Sequence, residues 1–190
     1  MFSKLIFFIN HYGYKAIFIL ITIENLFPPI PCELILTFSG FLTTYTNLKA
    51  LGIIIVSSLG SFIGALILYG LGFLIKQESL FKLLLKLHFN LDQINKSFSY
   101  FNTYGNIIIF IARLIPIIRS IISIPAGIIK MNIFTFSLYT LLGSLIWNSI
   151  LVYLGVLLGN NWQMITKYLN WYLIIVIIII VLVYLKRKLQ

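Results

Sequence analysis

Acidic residues, cysteine and histidine are all scarce in this sequence. Only four of its 190 residues are Asp or Glu, one is Cys and two are His. The single cysteine, Cys32, excludes an intrachain disulfide, and His11 and His88 are too far apart to form a local metal-binding motif. No nucleophile–histidine pair or cofactor loop accompanies the few acids. We therefore expect no metal site, no cofactor and no enzymatic activity.

Charge of either sign is also scarce, whereas apolar side chains are abundant. Charged residues make up 9% of the chain and hydrophobic residues 61%, with a mean hydropathy of +1.05. A soluble domain of this length could not bury so much apolar surface, so we predict an all-α, multi-pass membrane protein. The net charge of +10 comes from scattered residues. This pattern does not favour nucleic-acid binding, but it suits contact with anionic lipid headgroups.

Three uninterrupted apolar segments are each long enough to cross a bilayer: residues 51–75, 132–159 and 163–185. The last ends in the densest positive cluster of the chain, at residues 186–188. By the positive-inside rule we predict a cytoplasmic C-terminus. Residues 76–103 combine lysines with leucines and phenylalanines at helical spacing. They are predicted to form an amphipathic helix at the cytoplasmic interface.

Two further apolar segments, 15–45 and 104–128, are interrupted by proline and charge. The interrupting prolines are Pro28, Pro29 and Pro31 in the first segment and Pro116 and Pro125 in the second. Proline removes a helical hydrogen bond, and unpaired backbone groups are costly in hydrocarbon. Each segment is therefore predicted to form a re-entrant hairpin, two half-helices that turn inside the membrane.

An internal repeat links the two halves of the chain. LGSFIGALILYGLG at 59–72 and LGSLIWNSILVYLG at 142–155 share eight identical positions at an offset of 83 residues. Before each copy stands a proline-broken segment that ends in Ser39-Gly40 or Ala126-Gly127. The sequence thus predicts an inverted repeat of hairpin plus transmembrane helix, with a site at the repeat interface. Within the first copy, Gly60 and Gly64 form a G-x-x-x-G motif that indicates close helix packing.

The proline-broken segments also carry four charges that point to a candidate site. Glu24 and Glu33 flank the prolines of the first, and Arg113 and Arg119 those of the second. Lysines outnumber arginines eleven to three in the chain, so arginine here suggests a need for its planar guanidinium, which binds phosphate or carboxylate with two hydrogen bonds. One interpretation is that the arginines bind an anion and the glutamates compete for them. The other is that two Glu–Arg pairs only hold the hairpins together.

At these residues the chain resembles the DedA family of bacterial inner-membrane proteins. The matching patterns are Glu24-x-x-x-Pro28-x-x-Pro31-x-Glu33, Phe110-x-x-Arg113-x-x-Pro116-x-x-Arg119, Ala126-Gly127 and Gly143-x-x-x-Trp147. The resemblance covers nearly the whole chain, and the arginine–proline pattern is its most specific part. The chain differs from the family at Cys32, where glycine is frequent, and at Ser61, where an acid is frequent.

The resemblance implies two opposed re-entrant hairpins and transport of an anionic lipid, most concretely undecaprenyl phosphate returning between leaflets. Arg113 and Arg119 would bind the phosphate, and Glu24 and Glu33 would carry protons that link transport to the proton motive force. Related eukaryotic proteins are phospholipid scramblases. Two alternatives remain: a proton-coupled antiporter of ions or small solutes, and a non-transporting scaffold that organises the membrane. The sequence also leaves open whether the chain forms a homodimer.

Overall fold

The computed structural model describes residue 9 and residues 11–27, 32–75, 91–116 and 118–159. Within these ranges all regular structure is helical, as predicted. The helices, in chain order, are α1 (Tyr14–Leu26), α2 (Cys32–Leu42), α3 (Ala50–Leu74), α4 (Leu91–Arg113), α5 (Ile118–Ile121), α6 (Ser123–Ile128) and α7 (Ile133–Leu158).

Helices α3 and α7 are long and apolar enough to cross a membrane, and they match two of the predicted spans. At 1.5 Å per residue each is about 38 Å long, against about 30 Å of bilayer hydrocarbon. The outer face of α3 carries large exposed side chains at helical spacing: Ile55, Leu59, Ile63, Ile67 and Leu71. Its inner face buries small residues, Ser57, Gly60, Ser61 and Gly64. An apolar exterior around a small, partly polar interior is typical of helices surrounded by lipid.

The two long helices run in opposite directions. Ser57, early in α3, contacts Asn148, late in α7, and Tyr69, late in α3, stacks against Phe136, early in α7. Because α3 and α7 contain the two copies of the sequence repeat, the repeated halves have opposite directions in space. This antiparallel pair supports the predicted inverted repeat.

The first proline-broken segment forms α1 and α2, which lie beside α3. The side-chain oxygen of Tyr14, the first residue of α1, accepts a 2.7 Å hydrogen bond from the backbone N–H of Lys49, just before α3. Asn25, near the end of α1, packs against Gly64, past the middle of α3. Helix α1 therefore starts level with the start of α3 and stops partway along it. The prolines of this segment, Pro28, Pro29 and Pro31, lie outside the described residues.

The second proline-broken segment has the same plan. Gly105 and Phe101 of α4 lie beside Met131, which precedes α7. Arg113, the last residue of α4, packs against Gly143 inside α7. After the turn at Pro116, the short helices α5 and α6 lead back to α7. The boundary predicted near residue 103 falls inside α4, which is continuous from Leu91 to Arg113 and contains no proline.

Close glycine contacts connect each segment to the opposite repeat. Gly40 of α2 lies against the backbone of Val152 in α7, and Gly155 of α7 lies against the backbone of Thr37 in α2. The equivalent pair is Gly127 of α6, against Tyr69, and Gly72 of α3, against Ile124. A Cβ atom at any of the four glycines would overlap a backbone carbonyl oxygen. Each returning half-helix thus packs on the long helix of the other repeat, so the two repeats are interlocked.

Two predicted segments are not described by the structure. The span at 163–185 lies outside the described residues, as does the part of the amphipathic segment at 76–90. Their predicted positions, and the cytoplasmic C-terminus that depends on the first of them, therefore remain predictions.

Candidate functional site

The best-defined contact at the site is a buried salt bridge between the two proline-broken segments. Arg119 of α5 donates a 2.6 Å hydrogen bond from Nη2 to Oε2 of Glu24 in α1. The two residues are 95 positions apart in sequence, and both are buried. Among the described residues this is the only salt bridge within 4 Å. Glu24 lies in the last turn of α1 and Arg119 follows the turn at Pro116, so both side chains lie where the two segments meet.

Arg113, by contrast, is buried among neutral groups. Its Nη2 donates hydrogen bonds to the hydroxyl of Ser123 at 2.8 Å and to that of Thr140 at 3.4 Å. The guanidinium carbon lies 5.9 Å from the centre of the Phe136 ring, a cation–π distance. No described carboxylate lies within 4 Å of it. An arginine that is only 2% exposed and has no directly contacting carboxylate among the described residues is costly to bury.

Glu33, in the first turn of α2, completes the charged group. It is buried and forms no salt bridge with a described residue. Glu33 and Arg113 both lie close enough to Glu24 to interact with it electrostatically. The structure therefore brings the four predicted charges together, but only Glu24 and Arg119 form a direct pair. The formal charges of the two arginines and two glutamates sum to zero, but only one arginine contacts a glutamate directly.

Several buried polar atoms, two of them in the site arginines, have no hydrogen-bond partner within the described part of the chain. They are Nε of Arg113 and of Arg119, both side-chain atoms of Asn25, Oγ of Ser61, Nε1 of Trp147 and Oδ1 of Asn148. Buried polar groups are normally satisfied by protein, water or ligand. Each arginine therefore retains a free donor that an anion can occupy.

The predicted packing residues lie at helix contacts. Gly60 and Gly64 of α3 face α1, and Gly143 of α7 faces the end of α4, where a Cβ would lie 2.6 Å from the Cβ of Arg113. Trp147 packs at the edge of the apolar core around α1, α2 and α3. Pro116 is buried in the turn after α4, whereas Pro125 lies inside α6 without ending it.

Residues that sequence reasoning missed surround the predicted ones. They are Ser123, Thr140 and Phe136 around Arg113, together with Asn25 next to Glu24. Asn25 could have been found as an amide inside an apolar run. The contacts of Arg113 could not, because they come from α6 and α7. In the described residues there is no group of three or more His, Cys, Asp or Glu that could hold a metal ion.

Comparison with known proteins gives one domain family and several relatives that match most of the chain. Residues 30–157 match the sequence model of the VTT domain. The chain is 46% identical to an alkaline phosphatase-like protein of Lactococcus lactis over 93% of its own length and 85% of that protein. It is 38% identical to undecaprenyl phosphate transporter A of Staphylococcus aureus, covering 93% of this chain and 90% of that one. Identity to undecaprenyl phosphate transporter A of Bacillus subtilis is 31%, covering 98% and 94%. No solved structure matches the chain.

Proposed function

We propose that this chain, which belongs to the VTT-domain family, also called the DedA family, moves a polyprenyl phosphate between membrane leaflets. Membership of this family makes it a membrane transporter rather than an enzyme. The most concrete cargo is undecaprenyl phosphate. Two relatives that match nearly the whole chain are named as transporters of this lipid. The site geometry supports the same class of cargo, because it presents buried arginines to an anion. Protons are the proposed second partner.

The observation that carries the proposal is the environment of Arg113. Its guanidinium is held in place by Ser123 and Thr140, yet among the described residues it has no carboxylate partner and its Nε–H has no acceptor. A phosphate that approaches it gains charge-assisted hydrogen bonds without first displacing a salt-bridge partner. Arg113 is therefore the proposed first contact of the lipid phosphate.

Arg119 and Glu24 are the proposed switch between empty and loaded states. In the structure Nη2 of Arg119 donates a hydrogen bond to Glu24. A bound phosphate competes with Glu24 for this arginine, and protonation of Glu24 weakens that competition. Protonation of Glu33 removes a second negative charge that would repel the phosphate. Since Glu24 and Arg119 belong to different repeats, breaking their salt bridge frees the two segments to move relative to each other. Release of the phosphate allows the salt bridge to form again.

We further propose that both proline-broken segments are re-entrant hairpins in a bacterial inner membrane. This arrangement is supported by α1, which begins level with α3 and ends partway along it. It is also supported by α4, which lies beside the residue before α7 at Phe101 and Gly105 and ends partway along α7 at Arg113. It is also supported by the antiparallel direction of α3 and α7. The two hairpin tips then meet near mid-membrane from opposite sides, which gives the phosphate a polar contact halfway across the hydrocarbon. A cytoplasmic C-terminus follows from the lysine distribution.

The experiment is leaflet-resolved translocation in vesicles. Purified protein is reconstituted with a polyprenyl phosphate in both leaflets, and an external phosphatase hydrolyses only the outer pool. We expect half of the lipid to be hydrolysed quickly without protein and nearly all with it. Vesicles with Arg113→Gln protein are the matched control and should resemble protein-free vesicles. Hydrolysis that stops at half with wild-type protein, with or without an imposed pH gradient, would contradict lipid transport.

The same vesicles distinguish the alternatives. Exchange without a gradient indicates a scramblase mechanism, and exchange that requires a gradient indicates proton-coupled transport. A solute antiporter would dissipate the pH gradient on addition of its solute, with no lipid exchange. A scaffold would show neither activity.

A further inference from the structure

Asn25 is a fully buried amide whose hydrogen-bonding groups are all unused. Its side chain is 0% exposed, and neither Nδ2 nor Oδ1 has a partner in the described part of the chain. Other polar residues of the interior, such as Thr22 and Thr37, are satisfied by backbone carbonyls of their own helices. Burying an amide without a hydrogen-bond partner is unfavourable. Such an amide is therefore expected to bind a ligand.

The position of Asn25 ties it to the charged group. It directly follows Glu24, which binds Arg119, and it lies in the last turn of α1. Its Cβ packs against Gly64 of α3, where no side chain stands between the two helices. One turn earlier on α3 is Ser61, whose buried hydroxyl is also unpartnered. Unused polar groups are thus present on both helices where α1 packs on α3, one residue along the chain from the glutamate that binds Arg119.

The two atoms of this amide differ in what they recognise. Nδ2 donates hydrogen bonds, so it suits a phosphate oxygen, whereas Oδ1 accepts and needs an O–H or N–H group. A phosphate monoester in its monoanionic form offers both, since it has charged oxygens and a P–OH. A phosphodiester headgroup, as in ordinary phospholipids, has oxygens but no P–OH. Arginine cannot make this distinction because it only donates.

We propose that Asn25 is a specificity-determining residue that selects a phosphate monoester lipid over the phosphodiester lipids of the surrounding bilayer. The inference rests on the proposed function, because it assumes that the phosphate reaches the arginines. Asn25 accepts a hydrogen bond from P–OH through Oδ1 and donates one to a phosphate oxygen through Nδ2. A transporter of a minor lipid needs such a group, since diester lipids surround it in large excess.

The test compares binding of three probes by calorimetry to the purified full chain in non-ionic detergent. The probes are dodecyl phosphate, a monoester; methyl dodecyl phosphate, the matching diester; and inorganic phosphate. The test variant is Asn25→Leu, which keeps the shape of the side chain, and Asn25→Ala is a second, smaller variant. Asn148→Leu is the matched control. Asn148 is an equally buried amide, but its Nδ2 is already used by Ser57 and Ser58.

We expect wild type and Asn148→Leu to bind the monoester at least about tenfold tighter than the diester, the size expected for a hydrogen bond to a charged group. Asn25→Leu and Asn25→Ala should bind both equally, with diester affinity unchanged. Inorganic phosphate should bind more weakly than the monoester, since it lacks the lipid chain. Because Asn25 has no partner to lose, Asn25→Leu without ligand should unfold at the wild-type temperature or above it.

Three results would overturn the proposal: an unchanged monoester preference in Asn25→Leu, failure of both Asn25 variants to fold, or an equal loss of preference in Asn148→Leu. Wild-type protein that binds monoester and diester equally would overturn it too, while leaving lipid transport intact. Tighter binding of inorganic phosphate than of the monoester would assign the site to the free ion. Only a wild type that binds none of the probes would count against the proposed function itself.

Discussion

Arg119 and Glu24 form a 2.6 Å buried hydrogen bond that joins the two proline-broken segments across 95 residues of sequence. Both side chains come from half-helices that stop inside the protein, and each half-helix belongs to a different repeat. A contact of this kind stabilises one relative position of the two repeats. It is also a contact that an anionic ligand or a proton can break, which distinguishes it from the glycine contacts between the same repeats.

Neutralising both members of this pair should destabilise the protein by less than the sum of the two single effects. We expect Glu24→Gln and Arg119→Met each to lower the free energy of unfolding by about 3–5 kcal/mol, because each leaves a buried polar or charged partner unmatched. The double variant should lose less than the sum, by about 0.5–3 kcal/mol. Unfolding in mixed detergent micelles measures all four proteins. Glu33→Gln is the control, since Glu33 is equally buried but forms no salt bridge with a described residue. Strict additivity would show that the pair is not coupled.

Arg113→Lys should reduce transport while leaving stability close to wild type. Lysine keeps the positive charge but has no guanidinium group. It therefore cannot bind Ser123 and Thr140 through one nitrogen and offer a second nitrogen, Nε, to phosphate. The loss of one charge-assisted hydrogen bond, about 1.5–3 kcal/mol, corresponds to roughly a 10- to 150-fold lower rate. Phosphatase-accessible lipid in reconstituted vesicles provides the rate. Full activity in Arg113→Lys would remove the argument for bidentate phosphate binding.

The glycine contacts between the repeats can be tested by two substitutions on one helix. Gly72→Ala should destabilise the protein by about 1–3 kcal/mol, because the added methyl group would overlap the carbonyl oxygen of Ile124. Gly70→Ala is its matched control two residues away, where nothing lies within 4 Å of the added atom. Since alanine favours helix over glycine, Gly70→Ala should be neutral or stabilising by up to about 1 kcal/mol. Equal unfolding free energies for the two variants would argue against the packing of α6 on α3.

Labelling of introduced cysteines tests the proposed opposition of the two hairpins. In a Cys32→Ala background, Thr44→Cys and Lys130→Cys place a thiol at the exposed end of each segment. A membrane-impermeant thiol reagent should reach Thr44→Cys from outside and Lys130→Cys only after the membrane is opened. Gln77→Cys and Gln190→Cys should behave like Lys130→Cys, because the lysine distribution places them in the cytoplasm. Labelling of Thr44→Cys and Lys130→Cys from one side would contradict the inverted arrangement.

The sequence by itself determined that the protein lies in lipid, that it is a helical membrane protein, and how its spans and proline-broken segments follow one another along the chain. The apolar composition required lipid, and uninterrupted hydrophobic length located α3 and α7 to within a residue or two. The prolines and the repeat indicated two broken segments of equivalent design. The rule that intramembrane charges face a protein interior brought Glu24, Glu33, Arg113 and Arg119 into one candidate site. The DedA pattern named the family that the VTT-domain match shows.

The tertiary structure decided which partners the charges have. Sequence offered two Glu–Arg pairs, and the fold makes one, Glu24–Arg119, while it surrounds Arg113 with hydroxyls and an aromatic ring from α6 and α7. It also decided that α2 and α6 pack on the long helix of the opposite repeat and that Asn25 is buried without a partner. Such facts depend on contacts between residues far apart in the chain. Hydrophobic length and helix-breaking residues act locally, so they can be read from the sequence, whereas a pairing across 95 residues exists only once the helices have packed.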